Sequence, residues 1–237
     1  MKINRLVLDL SHHETVQSYS KVKADGIYGI IWKATQGQSF HDDQYHINRE
    51  KARAAGFLWG SYHFADGTNV TGQVQNYLNY AKIQPGELFC LDLEDYDSQM
   101  SLSQARDFIE QIEAALNRPN ECVIYSGNTL KEMLGDKVDP FWSARRLWLA
   151  QYGSTPKPQA SWDEAWLWQY SDGEVGPQPH DVKGIEDIVD SNSFNGTPED
   201  LAAQWSGGNA PAPAPDELVV KIIVKAPPGV RVEVSEV

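Results

Sequence analysis

The first half of the chain alternates short apolar runs with amphipathic stretches. The apolar runs have the length of strands, and the amphipathic stretches repeat apolar residues at helical spacing. The clearest helix is predicted over 101–116, where Ser101 has the character of an N-cap. Predicted strands lie at 5–11, 28–35, 57–64, 87–94 and 122–127, and predicted helices at 15–24, 43–55, 70–82, 101–116 and 128–135.

Beyond this point the alternation stops. Three more strands are predicted at 146–153, 165–173 and 185–196, and only loops rich in Pro, Gly and Ser separate them. Repeated βα units indicate a parallel sheet, and eight such strands can close into a barrel. An open doubly wound sheet is the rival fold, but no Gly-rich phosphate loop follows any strand. We therefore expect an α/β fold: an irregular TIM-like barrel of five βα units followed by three strands with few helices.

The C-terminal part differs in composition from the rest. Residues 207–216, GGNAPAPAPD, are typical of a semi-rigid linker, and 217–237 contain two apolar runs around Pro-Pro-Gly that predict a short β-hairpin. The expected domain organisation is a catalytic barrel at 1–206, a linker at 207–216 and a hairpin tail at 217–237. Such a hairpin would pack on the barrel, mediate self-association or precede further sequence.

Charge and composition exclude several classes of function. Four acidic and three basic residues lie from Gly207 onward, which leaves −12 of the net charge of −13 for residues 1–206. Nucleic acid is therefore not an expected partner, because phosphate binding needs clustered Lys and Arg. Cys90 and Cys122 lie in apolar runs and are expected to be buried free thiols. His12 and His13 lie near acidic residues, but no metal-binding pattern is present, so no metal or cofactor is expected.

The N-terminal sequence lacks the apolar stretch of a signal peptide, and no run is long enough to span a membrane. The expectation is a protein made in the cytoplasm that does not insert into membranes.

Acidic residues recur where apolar runs end. Asp9 lies in LVLDLS, Asp92 and Glu94 in FCLDLED, and Asp190 in DIVDSN. The C-terminal ends of the strands of a parallel barrel form one face, where catalytic groups gather. Four carboxyl groups from three segments are therefore expected at one mouth.

Asp92 and Glu94 are two residues apart, so they project from the same side of a strand. Two neighbouring carboxyl groups do not ionise equally, and glycoside hydrolysis needs one proton donor and one carboxylate. A structural alternative is a salt bridge, for which Lys33 is the candidate partner. Asp9 could instead cap a βα turn, and Asp190 could form an Asx-turn.

Aromatic residues near the strand ends are candidates for stacking on sugar rings, with core packing as the alternative for each. They are Tyr62, Tyr125, Trp148, Tyr152 and Trp168.

A set of motifs, in order along residues 5–196, resembles glycoside hydrolase family 25, the Chalaropsis-type lysozymes. The motifs are LVLDLSHHE, YGIIWKATQG, GSYHF, LDLED, LWLAQYG, LWQYSDG and VDSNSFNG. The resemblance implies a TIM-like barrel that cleaves the β-1,4 bond between N-acetylmuramic acid and N-acetylglucosamine of bacterial peptidoglycan with net retention.

By position, the resemblance implies that Glu94 is the general acid/base. It implies that Asp92 stabilises the 2-acetamido group or acts on the anomeric carbon, and that Asp9 and Asp190 complete the acidic cluster. The Tyr125 hydroxyl is the candidate partner of the acetamido group. One departure is Gln36, where the family often has Glu in K-A-T-E-G; this removes a negative charge from the mouth and makes Gln36 a candidate saccharide contact.

Two other functions stay open from sequence. One is a catalytically inactive module of the same fold that binds cell-wall glycan, and the other is a different wall or chitin hydrolase. A bacteriolytic enzyme without a signal peptide resembles phage endolysins, which wait in the host cytoplasm and reach the cell wall through a holin. An autolysin with another export route is the alternative.

Overall fold

The computed structural model describes residues 3–207. Nine strands and seven helices occur in this part of the chain. The strands are β1 (Arg5–Leu10), β2 (Gly29–Gln36), β3 (Phe40–His41), β4 (Leu58–Phe64), β5 (Leu88–Asp92), β6 (Val123–Ser126), β7 (Leu147–Ala150), β8 (Leu167–Ser171) and β9 (Asp190–Phe194). The helices are α1 (Tyr19–Ala24), α2 (Tyr45–Ala54), α3 (Val70–Ala81), α4 (Leu102–Leu116), α5 (Asn128–Leu134), α6 (Pro140–Ser143) and α7 (Pro198–Gln204).

Eight of these strands close into a barrel in the order β1-β2-β4-β5-β6-β7-β8-β9, and β9 pairs again with β1. The short β3 lies outside the barrel, antiparallel to the end of β2. The predicted architecture is confirmed: five strand–helix units are followed by three strands without helices between them.

One strand runs against the others. β9 is antiparallel to both of its neighbours, β1 and β8, whereas the other barrel pairs are parallel. No helix lies between β8 and β9, and none lies between β7 and β8, which are nevertheless parallel. Strands of one direction were expected from the sequence, and the antiparallel β9 corrects that expectation. Its direction determines where Asp190 lies.

Alternation along the strands divides the core into two layers. Inside the barrel, one face of the strands packs together through residues such as Val7, Ile31, Cys90, Val123 and Trp148. The opposite face packs against the helices through residues such as Leu8, Ile30, Trp32, Leu91 and Ile124. Because strands buried on both faces carry apolar residues throughout, they appear as short continuous apolar runs in the sequence.

The predicted helix at 101–116 is α4. The Ser101 side chain accepts from the backbone N–H of Gln104, whose side chain accepts in turn from the backbone N–H of Ser101. This capping box fixes the start of the helix, and the buried stripe of Ala105, Phe108, Ile109 and Ile112 holds it against the sheet.

The lower end of the barrel is closed by Trp205, which follows α7. Its ring is buried among the interior side chains, and its Nε1 donates to the carbonyl oxygen of Trp59 at 2.7 Å. A Cβ at Gly29 would lie 2.7 Å from the Trp205 ring, so this strand start requires glycine. Because this end is filled, a substrate can approach the barrel interior only at the opposite end, where the parallel strands end.

The predicted hairpin at 217–237 and the linker at 207–216, apart from Gly207, lie outside the described residues. Within the described part, Cys90 and Cys122 are buried free thiols, as predicted. No helix of residues 3–207 is long and apolar enough to cross a membrane.

Candidate active site

The four predicted carboxyl groups lie at the open mouth of the barrel. Asp9 is on β1 and Asp92 is the last residue of β5, each two residues after an interior side chain, Val7 and Cys90 respectively. Glu94 follows β5 by two residues. Side-chain alternation therefore directs Asp9 and Asp92 towards the interior at the mouth, and Glu94, beyond the strand end, lies close enough for its charge to raise the pKa of Asp92.

Asp190 reaches the same mouth by a different route from the one predicted. It is the first residue of β9 and not the last residue of a strand. Because β9 runs antiparallel, its start lies at the end of the barrel where the parallel strands finish. Asp190 is the direct register partner of Asp9. The mouth thus contains two carboxylate pairs, Asp9 with Asp190 and Asp92 with Glu94.

Two buried amides hold the Asp9 carboxylate. Asn192 Nδ2 donates to Asp9 Oδ1 at 2.6 Å, and Gln169 Nε2 donates to Asp9 Oδ2 at 2.9 Å. The same Asn192 amide also lies 3.3 Å from the carbonyl oxygen of Val7. Both amide side chains are fully buried, so their hydrogen bonds fix the position of the carboxylate.

Aromatic side chains hold these amides in turn. Trp148 Nε1 donates to Asn192 Oδ1 at 2.6 Å. Tyr125 donates its hydroxyl proton to Gln169 Oε1 at 2.9 Å, and the Tyr152 hydroxyl reaches the same oxygen at 3.2 Å. Since indole N–H and both tyrosine hydroxyls act as donors, each amide oxygen accepts, and each amide NH₂ must face Asp9.

Burial and mutual repulsion act on the first pair. The pKa of Asp9 is raised well above its ordinary value, first by burial and then by the negative charge of Asp190. The pKa of Asp190 is raised to about 7, again mainly by burial, with Glu14 and Asp172 adding repulsion. This pair therefore retains a proton at weakly acidic pH.

Asp92 has a different environment. Its side chain is only 3% exposed, and its Oδ1 is buried without a hydrogen-bond partner in the described structure. Burial raises the pKa of Asp92 well above its ordinary value, and the charge of Glu94 raises it further. A buried acceptor without a donor disfavours the ionised carboxylate, in the same direction as the raised pKa of Asp92.

Glu94 is partly exposed and also has a raised pKa, mainly because of burial. The Tyr125 hydroxyl lies close enough to lower the pKa of Glu94, and the charge of Lys33 lowers it as well. The single proton of Tyr125 is donated to Gln169, so we assign that hydrogen bond to Gln169 and not to Glu94. Glu94 is thus a carboxyl group with access to the mouth and a raised pKa, as a proton donor requires.

Buried acids elsewhere in the described chain show what a structural role looks like. Glu113 forms a two-pronged pair with Arg145 at 2.6 and 2.9 Å, and Glu87 forms one with Arg49 at 2.6 and 2.9 Å. None of the ion pairs within residues 3–207 involves the four mouth carboxylates. The salt-bridge alternative for Asp92 is therefore not what the described structure shows.

Lys33, the candidate partner in that alternative, does lie at the mouth. It follows the interior residue Ile31 by two positions on β2. Its Nζ donates to Gln36 Oε1 at 2.7 Å. Gln36, the last residue of β2, thus contacts a lysine, and no saccharide role follows from this contact alone.

The predicted aromatic residues take three kinds of position. Tyr62 and Tyr125 project into the barrel beneath the carboxylates, and Tyr152 lies on the rim with 43% of its surface exposed. Trp148 is 1% exposed and packs edge-on against Tyr125 with ring centroids 4.5 Å apart, so it supports the site from below.

Trp168 lies on the other face of its strand. Its neighbours Leu167 and Gln169 point into the barrel, whereas Trp168 packs against Tyr170 and donates its Nε1 to the carbonyl oxygen of Gln151 at 2.7 Å. The structure does not bring Trp168 to the mouth, so its predicted role as a saccharide contact is corrected to that of an outer packing residue.

Sequence reasoning missed Gln169 and Asn192 as functional residues. Both lie inside the quoted motifs, LWQYSDG and VDSNSFNG, and both are polar residues in strands that are otherwise buried. A buried amide in a barrel strand must find a hydrogen-bond partner, and this requirement was the available signal.

Histidines near the mouth are accounted for by hydrogen bonds. His12 is held by Asp42, which lies 3.0 Å from its Nδ1 and accepts from its backbone N–H at 2.8 Å. His63 contacts Thr35 and Gln73, and burial lowers the pKa of its ring to about 4. Across residues 3–207, no group of three or more His, Cys, Asp and Glu side chains has the arrangement of a metal site.

Comparison with known proteins gives consistent matches. Residues 8–178 match the model of the family described as glycosyl hydrolases family 25. The chain is 28% identical over 214 residues to Lysozyme M1 of Streptomyces globisporus, an alignment covering 83% of this chain and 69% of that protein.

Solved structures agree. A bacterial lysozyme from Streptomyces coelicolor superposes with a TM-score of 0.74 at 27% identity, covering 88% of this chain and 99% of that one. A family GH25 lysozyme from Aspergillus fumigatus gives a TM-score of 0.71 at 26% identity, covering 86% and 100% of the two chains.

Proposed function

This chain belongs to glycosyl hydrolases family 25, and from that premise we propose that it hydrolyses the glycan strands of bacterial peptidoglycan. The bond is the β-1,4 linkage between N-acetylmuramic acid and N-acetylglucosamine. Relatives named as lysozymes support this substrate, because a lysozyme cuts wall glycan. The chain is a glycoside hydrolase, and the specific bond and the roles below are our proposal.

The observation that carries the proposal is the Asp92 carboxyl group at the mouth: no ion pair within residues 3–207 involves it, and its Oδ1 is buried without a partner, which leaves Oδ2 as the oxygen that a ligand could reach. The 2-acetamido group of an amino sugar has an N–H that would donate to this oxygen. That hydrogen bond would orient the acetamido carbonyl towards the anomeric carbon or, if the sugar were placed differently, let the carboxylate act on that carbon itself. In both cases an ionised Asp92 stabilises the positive charge that develops on the sugar.

Glu94 is proposed as the general acid/base. Its carboxyl group is less enclosed than that of Asp92, and its raised pKa keeps a proton available at weakly acidic pH. It would protonate the leaving glycosidic oxygen and then take a proton from the attacking water. Because the two steps occur on the same face of the sugar, the expected stereochemical outcome is net retention.

Asp9 and Asp190 would support this chemistry from the other side of the mouth. The Asp9 carboxylate is already occupied by two amide donors, so it offers little to a substrate beyond its charge. Asp190 is partly exposed, and its raised pKa keeps it protonated at weakly acidic pH, so it could donate a hydrogen bond to a sugar hydroxyl. Tyr62 and Tyr152 line the approach and would contact the sugar rings.

The test is an analysis of the ends that the enzyme creates. Purified peptidoglycan is incubated with wild type, Glu94→Gln and the control Glu110→Gln, reduced with borohydride and examined by mass spectrometry. Glu110 is an exposed residue of α4, so its change removes the same charge away from the mouth. We expect new muramitol ends from wild type and the control, and none from Glu94→Gln.

Three outcomes would overturn the proposal. New glucosaminitol ends would show that the other glycosidic bond is cut, and new amino groups would show an amidase or peptidase. An inactive wild type that still binds insoluble peptidoglycan would favour a glycan-binding module. Retention is tested by following the anomeric proton by NMR, where the β-anomer should form first.

A further inference from the structure

Burial alone would place the proton of the Asp92–Glu94 pair on the wrong carboxyl group for the proposed roles. Asp92 is more enclosed than Glu94 and has an oxygen without a donor, so burial favours the neutral form of Asp92 more strongly. The proposed chemistry needs the reverse, with Asp92 ionised and Glu94 protonated. Some other feature of the mouth must shift the shared proton towards Glu94.

Lys33 is the side chain in position to do so. It projects inward from β2 in the same layer as Tyr62, its register partner on β4. Its Nζ lies 4.7 Å from the centre of the Phe64 ring, and Phe64 is the register partner of Asp92. The ammonium group is therefore held above the strand pair that ends in Asp92.

Charge sets Lys33 apart from the other groups around Asp92. The carboxyl groups of Glu94, Asp9 and Asp95 raise the pKa of Asp92, whereas the ammonium of Lys33 lowers it. Lys33 also lowers the pKa of Glu94, but Lys33 interacts more strongly with Asp92 than with Glu94. In the reverse direction, burial lowers the pKa of Lys33, and Asp92, Asp42 and Glu94 raise it. The groups facing Asp92 from neighbouring strands are Lys33 on β2, Asp9 on β1, Tyr62 on β4 and Tyr125 on β6.

We propose that Lys33 is a positioning residue whose ammonium charge favours the ionised form of Asp92 and so shifts the proton of the pair towards Glu94. This inference rests on the proposed function for the roles of the two carboxyl groups. Lys33 itself need not touch the substrate, because it acts through Asp92.

Gln36 has a defined part in this arrangement. Its Oε1 accepts from Lys33 at 2.7 Å and carries no net charge, so it fixes the ammonium without neutralising it. A carboxylate at this position would form an ion pair with Lys33 and reduce the charge felt by Asp92. The rings of Phe40 and Phe64 flank the ammonium, with their centres 5.3 and 4.7 Å from Lys33 Nζ.

The first test is a titration that needs no activity. Carboxyl groups of substrate-free protein are labelled with ¹³C and followed by NMR, with Asp92→Asn used to assign the signal. In Lys33→Met we expect the Asp92 signal to titrate about one pH unit higher than in wild type, the lower end of the effect of a neighbouring opposite charge. Lys33→Arg keeps a cation and should titrate like wild type. Gln36→Glu should shift the signal in the same direction as Lys33→Met.

Lys23→Met is the matched control. Lys23 is also partly buried, donates to the Gly56 carbonyl oxygen at 2.7 Å and lies over the Phe57 ring at 4.7 Å, but it belongs to α1 and not to the mouth. This substitution removes a lysine with a similar hydrogen bond and ring contact that lies away from Asp92. The pH at which Asp92 titrates should therefore stay unchanged.

The second test is the pH profile of peptidoglycan hydrolysis. Since the ionised form of Asp92 is required, the acid limb of kcat/KM should move up by about one unit in Lys33→Met. This shift corresponds to an about tenfold loss on that limb. The loss should appear in kcat more than in KM, because the charge acts on the reaction and not on binding.

The outcomes separate the two proposals. An Asp92 signal that titrates identically in wild type and in folded Lys33→Met overturns the role of Lys33, whichever bond the enzyme cleaves. If Lys33→Met does not fold, Gln36→Glu decides the matter, since an unshifted Asp92 signal in that variant also overturns it. Failure to find muramitol ends overturns the proposed function and leaves the titration result standing.

Discussion

The mouth of the barrel contains two pairs of carboxyl groups that differ in how the protein hydrogen-bonds them. Asp9 is held by two buried amides, which are oriented by an indole and two phenols. Asp92 lies equally deep and has an oxygen with no donor at all. The Asp9 carboxylate is therefore hydrogen-bonded within the protein through both oxygens, whereas Asp92 has a buried oxygen without a hydrogen bond.

This difference shows how residues of the same type divide structural and chemical work. A satisfied carboxylate adds rigidity and charge, because moving it would break several buried hydrogen bonds. An unsatisfied one costs stability in the folded protein. The following changes test the comparison, from the largest expected effect to the smallest.

Asp92→Asn should give the largest effect. It removes the proposed negative charge but keeps the shape, so we expect peptidoglycan hydrolysis to fall by about 10³-fold, as for loss of a major electrostatic group. Stability should not fall, because the substitution removes an ionisable group whose buried Oδ1 has no hydrogen-bond partner in the described structure. Initial rates and thermal melting check the two parts, and a melting temperature well below that of wild type would break the comparison.

Asp9→Asn should show the opposite balance. One oxygen becomes an NH₂ group that must face the amide donor of Asn192 or Gln169, and a donor facing a donor costs about 1–3 kcal/mol. Urea unfolding measures this loss. Activity should fall less than in Asp92→Asn, and a larger loss of activity with unchanged stability would reverse the roles of the two pairs.

The pH dependence of stability reports on Asp190. Folding raises its pKa from 3.8 to about 7, so the folded state binds this proton more tightly than the unfolded state. The resulting stabilisation is complete below about pH 4 and is lost as the pH rises to about 7, by at most about 1.4 kcal/mol per unit. The difference in unfolding free energy between wild type and Asp190→Asn should fall over this window, and a flat difference would contradict the raised pKa.

Two aromatic changes should have the smallest effects. Tyr152→Phe removes a 3.2 Å hydrogen bond to Gln169, which Tyr125 also provides, so we expect a rate within about threefold of wild type. Trp168→Phe should leave KM for soluble glycan fragments unchanged, because this ring faces away from the mouth. If Trp168→Phe raised KM more than Tyr152→Phe did, this would indicate that Trp168 contacts the substrate.

Local patterns predicted the strands, the main helix and the i, i+2 pair of Asp92 and Glu94, because each depends on spacing along a single segment. The direction of β9 does not depend on local spacing. Asp190 therefore appeared to end a strand, whereas it begins one that runs the other way. The described structure places Asp190 at the mouth through the antiparallel course of β9.

The side-chain directions on β8 were also beyond local reasoning. All five residues of Leu167–Ser171 are buried, so no alternation of polar and apolar residues distinguishes the inner face from the outer. Trp168 was chosen for its chemistry, and the inward residue proved to be its neighbour Gln169. Likewise, the sequence could not show whether Lys33 bonds to Asp92 or to Gln36. The hydrogen bond from Lys33 to Gln36 depends on contacts that only the folded barrel defines.

The central claim is that Glu94 supplies the proton while Asp92 stabilises the reacting sugar. The most direct measurement is the first-turnover release of dinitrophenol from a dinitrophenyl glycoside of the muramic acid disaccharide, a leaving group that needs no proton. We predict that Glu94→Gln, inactive on peptidoglycan, retains this release to within about tenfold, whereas Asp92→Asn loses it by about 10³-fold. Equal losses in both variants, or a larger loss in Glu94→Gln, would contradict the account.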